Sequence, residues 1–284
     1  MAVTNGWGQW ENTIDWGKGK TTATNDWGKI YDTSASGDTS LGTAAAFANT
    51  KSILIDGVDE LISMGDVLDM ANDGTDAFTY SLWFKTTDTG SFQTFVSKNR
   101  GSVWLNGVSF SMRANLKSFN VSLGTGQSNQ RVKGKTGTIS TINDGNWHHA
   151  CLTYDGSQVL SGFTLYYDNS VVALSVDGTQ GTPNNVSTTG QADFMIGARG
   201  LASSPSLAFN GSLDEVSYFT SELSASNVNT IYGTGVPNDI SSLNPIGWWR
   251  CGDGDTSPTL TDNGSGSNNG TMTNFTAFST DVPT

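Results

Sequence analysis

Charge is scarce in this chain. Only 14% of its 284 residues are Asp, Glu, Lys or Arg, and 14 cations against 26 acids leave a formal net charge of −12. With so few cations, sequence-independent binding to nucleic acid or to anionic lipid is excluded, because neutralising phosphates takes clustered Lys and Arg. Histidine is scarcer still, and the two present, His148 and His149, are adjacent. That rules out a His-Glu-x-x-His zinc site, and neighbours on a strand point to opposite faces, so both are read as structural. Only two cysteines occur, Cys151 and Cys251, each among apolar neighbours. They are expected to be small buried hydrophobes rather than a disulfide. Long apolar runs are missing, so no membrane-spanning helix is expected. The opening Met1-Ala2-Val3-Thr4-Asn5 lacks a basic and then apolar leader, so no secretory signal is expected. Catalytic signatures are lacking too: there is no Gly-x-Ser-x-Gly elbow, and Gly134-Lys135-Thr136 lacks the earlier glycine of a phosphate loop.

What the chain does have is 34 glycines, abundant Ser, Thr and Asn, and many short alternating segments between turn residues. That is the makeup of an all-β protein with polar outer faces. Phe78–Lys85 alternates and then becomes wholly apolar, as a strand buried on both faces does. Strands are also expected over 92–98, 103–113, 118–123, 147–154, 163–167, 171–176 and 194–197, with a hairpin turn at Asp56-Gly57. Residues 124–137 read as a polar, Gly-rich loop whose Arg131, Lys133 and Lys135 form a solvated basic face. One short helix is expected after Ser224 as N-cap, with Val228, Ile231 and Tyr232 at helical spacing and Gly233 as its stop.

Residues 1–40 differ in character. A Trp-Gly unit recurs at Trp7, Trp16 and Trp27, at spacings of nine and eleven residues. Indole rings in so polar a segment have no local core to bury them, so an arm is expected that docks onto another surface or another copy.

Three motifs carry a resemblance: Ile53–Ile62 around Asp56-Gly57, Trp147–Gly156, and Gly211-Ser212-Leu213-Asp214-Glu215-Val216 followed by the Leu223–Tyr232 helix. In that order they resemble laminin G-like domains of the concanavalin A-like lectin and glucanase superfamily. The resemblance implies a two-sheet antiparallel jelly-roll sandwich over residues 41–284, with one short helix and an extended N-terminal arm over 1–40. It implies calcium near the closing aspartate Asp214, with Asp253 and Asp262 of the tail as further ligands. It also implies carbohydrate binding at a sandwich rim, for which Trp104, Asn106, Arg199 and Asn210 are the candidates. Hydrolases of the superfamily carry Glu-x-Asp-x-x-Glu on one inward strand; the spacing is absent here, so no enzyme is expected.

The tail departs from the family order. The aromatic strand Pro245–Asp253 and the run Asp262–Met272 commonly precede the opening strand, yet here they follow the helix. A circular permutation is expected, and the last strand either closes its own sandwich or is given to a neighbour in a homo-oligomer. The Trp-Gly arm resembles that of laminin G-like structural proteins of marine bacteriophages. The expected function is thus a non-enzymatic virion protein, held by its arm to other virion proteins and attaching to host surface glycans as a tail fibre or adhesin. The alternatives are a purely structural capsid decoration or fibre subunit, and a secreted glucan-binding or glucan-hydrolysing protein.

Overall fold

Short amphipathic strands bury their apolar faces by stacking two sheets. In the computed structural model, the backbone of three strands is described before Phe47, and then all residues except 71–72, 100–106, 126, 128, 185, 187, 189–191 and 276. The chain divides into two units, Met1–Ala46 and Phe47–Thr284. In the first, β1 (Asn12–Asp15), β2 (Lys20–Thr24) and β3 (Ile30–Asp32) form an antiparallel meander, where an extended arm was expected. Trp7, Trp16 and Trp27 lie outside the described residues.

The second unit begins with β4 (Ile53–Asp56), β5 (Leu61–Ser63), β6 (Phe78–Lys85) and β7 (Phe92–Asn99). It continues with β8 (Gly107–Arg113), β9 (Ser118–Gly124), β10 (Arg131–Thr136), β11 (His148–Tyr154) and β12 (Phe163–Tyr167). Then come β13 (Ser170–Val172), β14 (Leu174–Val176), β15 (Phe194–Ile196), β16 (Arg199–Leu201) and β17 (Ser204–Ser206). The chain closes with β18 (Asn210–Phe219), α1 (Ala225–Tyr232), β19 (Gly247–Trp249), β20 (Thr259–Leu260) and β21 (Gly270–Thr273).

Two large antiparallel sheets result, beside a two-stranded one of β16 and β17. One is nine-stranded in the order β14-β10-β9-β8-β7-β15-β5-β21-β20; the other is seven-stranded, β13-β12-β11-β6-β18-β19, with β4 pairing the first half of β18. Their inner faces meet in an aromatic core, in which Phe84 packs 4.9 Å from Phe95 and 5.9 Å from Phe119, ring to ring. Each such ring contributes about 2–3 kcal/mol by leaving water. The outer face of the seven-stranded sheet is covered as well. Val228 and Ile231 of α1 bury against Cys151, Tyr166, Phe219 and Trp248, and Tyr232 stacks on Trp83 at 5.6 Å. Ser224 caps the helix by accepting from Asn227 N–H at 3.2 Å, and Gly233 ends it at φ +61°, a conformation glycine tolerates.

Four expectations change or resolve here. Asp56-Gly57 is not a hairpin turn: β4 pairs with β18 and β5 with β15 and β21, so the turn carries the chain from one sheet to the other. Residues 131–136, expected within a loop, form strand β10, because Val132, Gly134 and Thr136 alternate inward. The tail closes its own sandwich, since β19 pairs with β18 and β21 with β5 of the same chain. Cys151 and Cys251 are both buried and unpaired with each other, as their apolar settings implied.

Candidate functional site

The outer face of the nine-stranded sheet is built differently from its partner's. Along β8, Val108, Phe110 and Met112 enter the core, so Ser109, Ser111 and Arg113 face outward. Along β9, Phe119, Val121 and Leu123 are inward and Ser118, Asn120 and Ser122 outward. Register sets Ser109 opposite Ser122 and Ser111 opposite Asn120, while β10 brings Lys133 opposite Ser122 and Lys135 opposite Asn120. The result is a depression floored by Ser109, Ser111, Asn120 and Ser122 and walled by Phe92, Lys133 and Arg199. The floor is recessed because its side chains are short.

A charge cluster flanks the floor. Asp177 follows β14, whose pairing with β10 sets Asp177 N–H 3.1 Å from the Lys133 carbonyl. Its carboxylate lies 3.4 Å from Arg113 Nη2, 3.5 Å from Lys133 Nζ, 3.5 Å from Lys135 Nζ and 3.3 Å from Asn120 Nδ2. Burial works to raise the Asp177 pKa, but these three cations outweigh it and hold the carboxyl below its ordinary value. Lys133 is shifted down by its own burial, which Asp177 offsets only in part. Of the basic trio expected on a solvated face, Lys133 and Lys135 share this carboxylate, while Arg131 Nε donates to the Thr179 carbonyl at 3.4 Å. The guanidinium of Arg113 lies 4.0 Å above the Phe92 ring. Two buried atoms beside the floor, Asn120 Oδ1 and Arg113 Nε, have no hydrogen-bond partner among the described residues.

The second polar cluster lies in the seam between β18 and β19. A bulge between Asp214 and Ser217, with Glu215 at φ +46°, sinks two successive carboxyl groups. Asp214 accepts from Glu215 N–H at 2.8 Å and from Asn49 Nδ2 at 2.9 Å. Glu215 accepts from Trp248 Nε1 at 2.6 Å and from Arg250 Nε at 3.0 Å. Arg250 also donates to the Ala48 carbonyl at 2.5 Å and lies 4.3 Å over the Phe47 ring. Asp253 completes the group, accepting from Thr50 N–H at 2.9 Å and lying 3.4 Å from Arg250. Burial pushes Asp214 up to about 9 and Glu215 up to about 7, the latter against the pull of Arg250.

These residues do not fit the calcium expected of Asp214, Asp253 and Asp262. Asp262 serves the backbone, accepting from Trp248, Gly264 and Asn268 N–H at 2.7–2.8 Å, and so organises the loop after β20. Every carboxyl oxygen of the three accepts at least one N–H, and Arg250 is the cation beside Asp253. Among the described residues, the one group of three carboxylates whose oxygens meet is Asp56, Asp59 and Glu60, on the turn between the sheets.

Of the carbohydrate candidates, Arg199 walls the depression. Asn210 lies elsewhere, at the start of β18, where its Nδ2 donates to Asp88 at 3.4 Å and its N–H to Gln93 at 3.2 Å. Trp104 and Asn106 lie outside the described residues. His148 and His149 diverge as expected. His149 is fully buried with Nε2 2.8 Å from Ser81 Oγ, while His148 sits between Asp168 at 2.7 Å and Asp144 at 3.2 Å. The floor residues and Asp177 were missed. A signal for the floor existed in the strict alternation of Ser or Asn with apolar residues along 108–112 and 119–123; none existed for Asp177.

Against known families, residues 56–229 match the model of the concanavalin A-like lectin/glucanases superfamily, more than half of the chain. The chain belongs to that superfamily. No curated protein matches it closely enough to count as a relative. Among solved structures, a Bacteroides ovatus protein assigned provisionally to carbohydrate binding shares 18% identity over 93% of this chain and 69% of its own, with a TM-score of 0.55. The CBM40 module of a Ruminococcus gnavus IT-sialidase shares 13% over 65% of this chain and 97% of its own, at 0.46. A heptameric SAP-like pentraxin from Limulus polyphemus shares 15% over 66% and 83%, at 0.46. At such identities the likeness concerns the fold.

Proposed function

We propose that this protein is a non-catalytic carbohydrate-binding protein whose sugar site is the serine-floored depression on the outer face of the nine-stranded sheet. One observation carries the reading: hydroxyl and amide groups of Ser109, Ser111, Asn120 and Ser122 line a recess beside the apolar ring of Phe92. Saccharides are bound by such a mixture, with hydroxyls meeting short polar side chains and ring C–H groups meeting an aromatic face. The lectin-like fold supports it. Hydrolysis is disfavoured because a glycosidase needs two carboxyl groups flanking the bond, whereas the carboxylate described at this recess is Asp177, already held by three cations. A glycan array of the full chain beside Ser122→Leu tests the reading. Ser122 is only half-buried, so a leucine there fills the recess without disturbing the core. Binding lost in the variant with an unchanged melting temperature supports the assignment, and binding untouched by the variant refutes it.

A second, separable reading concerns residues 1–40. The threefold Trp-Gly unit favours a docking role for Trp7, Trp16 and Trp27, toward other copies or other proteins of a bacteriophage particle. Deleting residues 1–40 is expected to abolish incorporation into particles while sugar binding persists. Normal incorporation of the shortened chain contradicts the docking role.

A further inference from the structure

A sheet edge invites a further strand, and on one side of this sandwich the chain covers its own edges. Next to β19 the tail supplies backbone partners, with Asn263 N–H 2.7 Å from the Trp248 carbonyl and Gly266 N–H 2.8 Å from that of Ile246. Beside β4, Ser52 and Ser279 exchange N–H to carbonyl bonds at 3.0 and 2.9 Å. Strand β20 is two residues long and follows Pro258, which has no N–H. The opposite side is built from residues 169–176, where β13 ends the seven-stranded sheet and, after Ala173, β14 ends the nine-stranded one. Those eight residues include no charge and no proline, the usual guards of an edge.

Apolar surface gathers at this edge. Of the seven large apolar side chains exposed among the described residues, three are here: Val171 at 64%, Val176 at 55% and Val159 at 50%. Leu160 fills the space above Gly134, and Gly134 pairs with Val176, which brings Val159 beside the edge. A groove of about 350 Å³ lined in part by Val132, Val159 and Leu160 opens there. The ladder fixes which backbone groups stay open. Asp177 donates its N–H to the Lys133 carbonyl, so residues 177 and 175 turn their backbone groups toward β10. The alternate residues, Leu174 and Val176, turn theirs away from the sheet.

We infer that two copies of this chain join through β14, antiparallel about a two-fold axis at Ser175, so that their nine-stranded sheets continue into one another. Strand addition gives the outward N–H and C=O groups of Leu174 and Val176 their partners. A second copy is the occupant because the segment is its own complement in this register. On the inner face Leu174 stands opposite Val176 of the second copy, on the outer face Ser175 stands opposite its like, and Asp177 stands opposite Ala173. No like charges meet directly across the join, which matters for a chain of net charge −12. Both outer faces then lie on the same side of one sheet, so a ligand of that face is met twice. The join holds whether or not that ligand is a sugar.

Sedimentation equilibrium of the full chain tests it. The mass is expected to rise with concentration from 30.0 kDa to twice that value. Strands of three residues make a small interface, so the dimer is expected to come apart on dilution. Val176→Lys sets an ammonium opposite Leu174, and Val176→Pro removes an N–H that faces away from β10; each is expected to hold the mass at 30.0 kDa, whereas Val176→Thr keeps the dimer. The register is read separately by cross-linking. Ser175→Cys is expected to give a covalent dimer on mild oxidation, since residues opposite in a non-hydrogen-bonded pair have Cα atoms about 4.5 Å apart. Ala173→Cys is expected to give none, and both native cysteines are buried. A chain that is monomeric at every concentration, a dimer untouched by Val176→Lys and Val176→Pro, or cross-linking at Ala173→Cys in place of Ser175→Cys overturns the inference. A dimer lost only on deletion of residues 1–40 also overturns it and assigns self-association to the Trp-Gly segment.

Discussion

Two charged clusters, one on each sheet, differ in how completely they are filled. In the seam of β18 and β19, the carboxyl groups of Asp214, Glu215 and Asp253 meet the indole of Trp248, the guanidinium of Arg250 and backbone N–H groups, with contacts as short as 2.6 Å. On the outer face of the nine-stranded sheet, Asp177 holds its cations at 3.4–3.5 Å, and Arg113 Nε and Asn120 Oδ1 have no partner among the described residues. Both are expensive to desolvate. The first closes mainly through short contacts, with Asn49 Oδ1 its one atom lacking a described partner, and fits a role in folding; the second is the one proposed to meet a ligand.

The largest test of that contrast removes the cation from the closed cluster. Arg250→Ala leaves buried carboxyl groups facing one another and is expected to cost about 3 kcal/mol in a urea melt. Lys135→Gln, in the open cluster, is expected to leave stability within about 0.5 kcal/mol, because its ammonium is well exposed. Next in size is Asp262→Ala, which strands three backbone N–H groups in the tail loop and is expected to cost about 2 kcal/mol, by the same melt.

A smaller effect comes from pH. Asp214 and Glu215 have folded pKa values raised by burial to about 9 and about 7. Because both lie above the ordinary carboxyl range near 4, the folded state keeps protons that the unfolded chain releases. Their contribution to stability is therefore full in acid and falls as pH rises through 7 and then 9. Asp214→Asn is expected to remove the upper part of that fall, so the variant loses less stability than the parent between pH 7 and 9. The smallest expected effect is that of calcium. With Arg250 as the resident cation, chelator or added calcium should shift the melting temperature by less than about 1 °C, since a ligand stabilises only in proportion to its binding. A larger shift contradicts the closed cluster.

Local pattern was enough for most elements. Alternation marked Phe78–Lys85 and His148–Tyr154, and Ser224 with Gly233 bracketed the helix. Strand β10 escaped because Gly134 interrupts its apolar face, a gap filled in the fold by Leu160, whose side chain lies where a Cβ at Gly134 would stand. The sites were less legible, because both depend on register between distant segments. Glu215 meets Arg250 because Val216 pairs with Trp249, 33 residues away in sequence. Asp177 meets Lys133 and Lys135 because β14 leaves the β12–β13 hairpin and crosses to the other sheet. The fit of calcium turns on the same point: nothing local in Asp253 or Asp262 reveals that backbone N–H groups already face them.

The central claim is that the open cluster is a sugar site, and a crystal structure of the full chain soaked with an oligosaccharide that it binds on the glycan array tests it most directly. The account predicts a sugar lying over Ser109, Ser111 and Ser122. A sugar bound at the opposite rim near Asn210, with the serine floor bare, contradicts it.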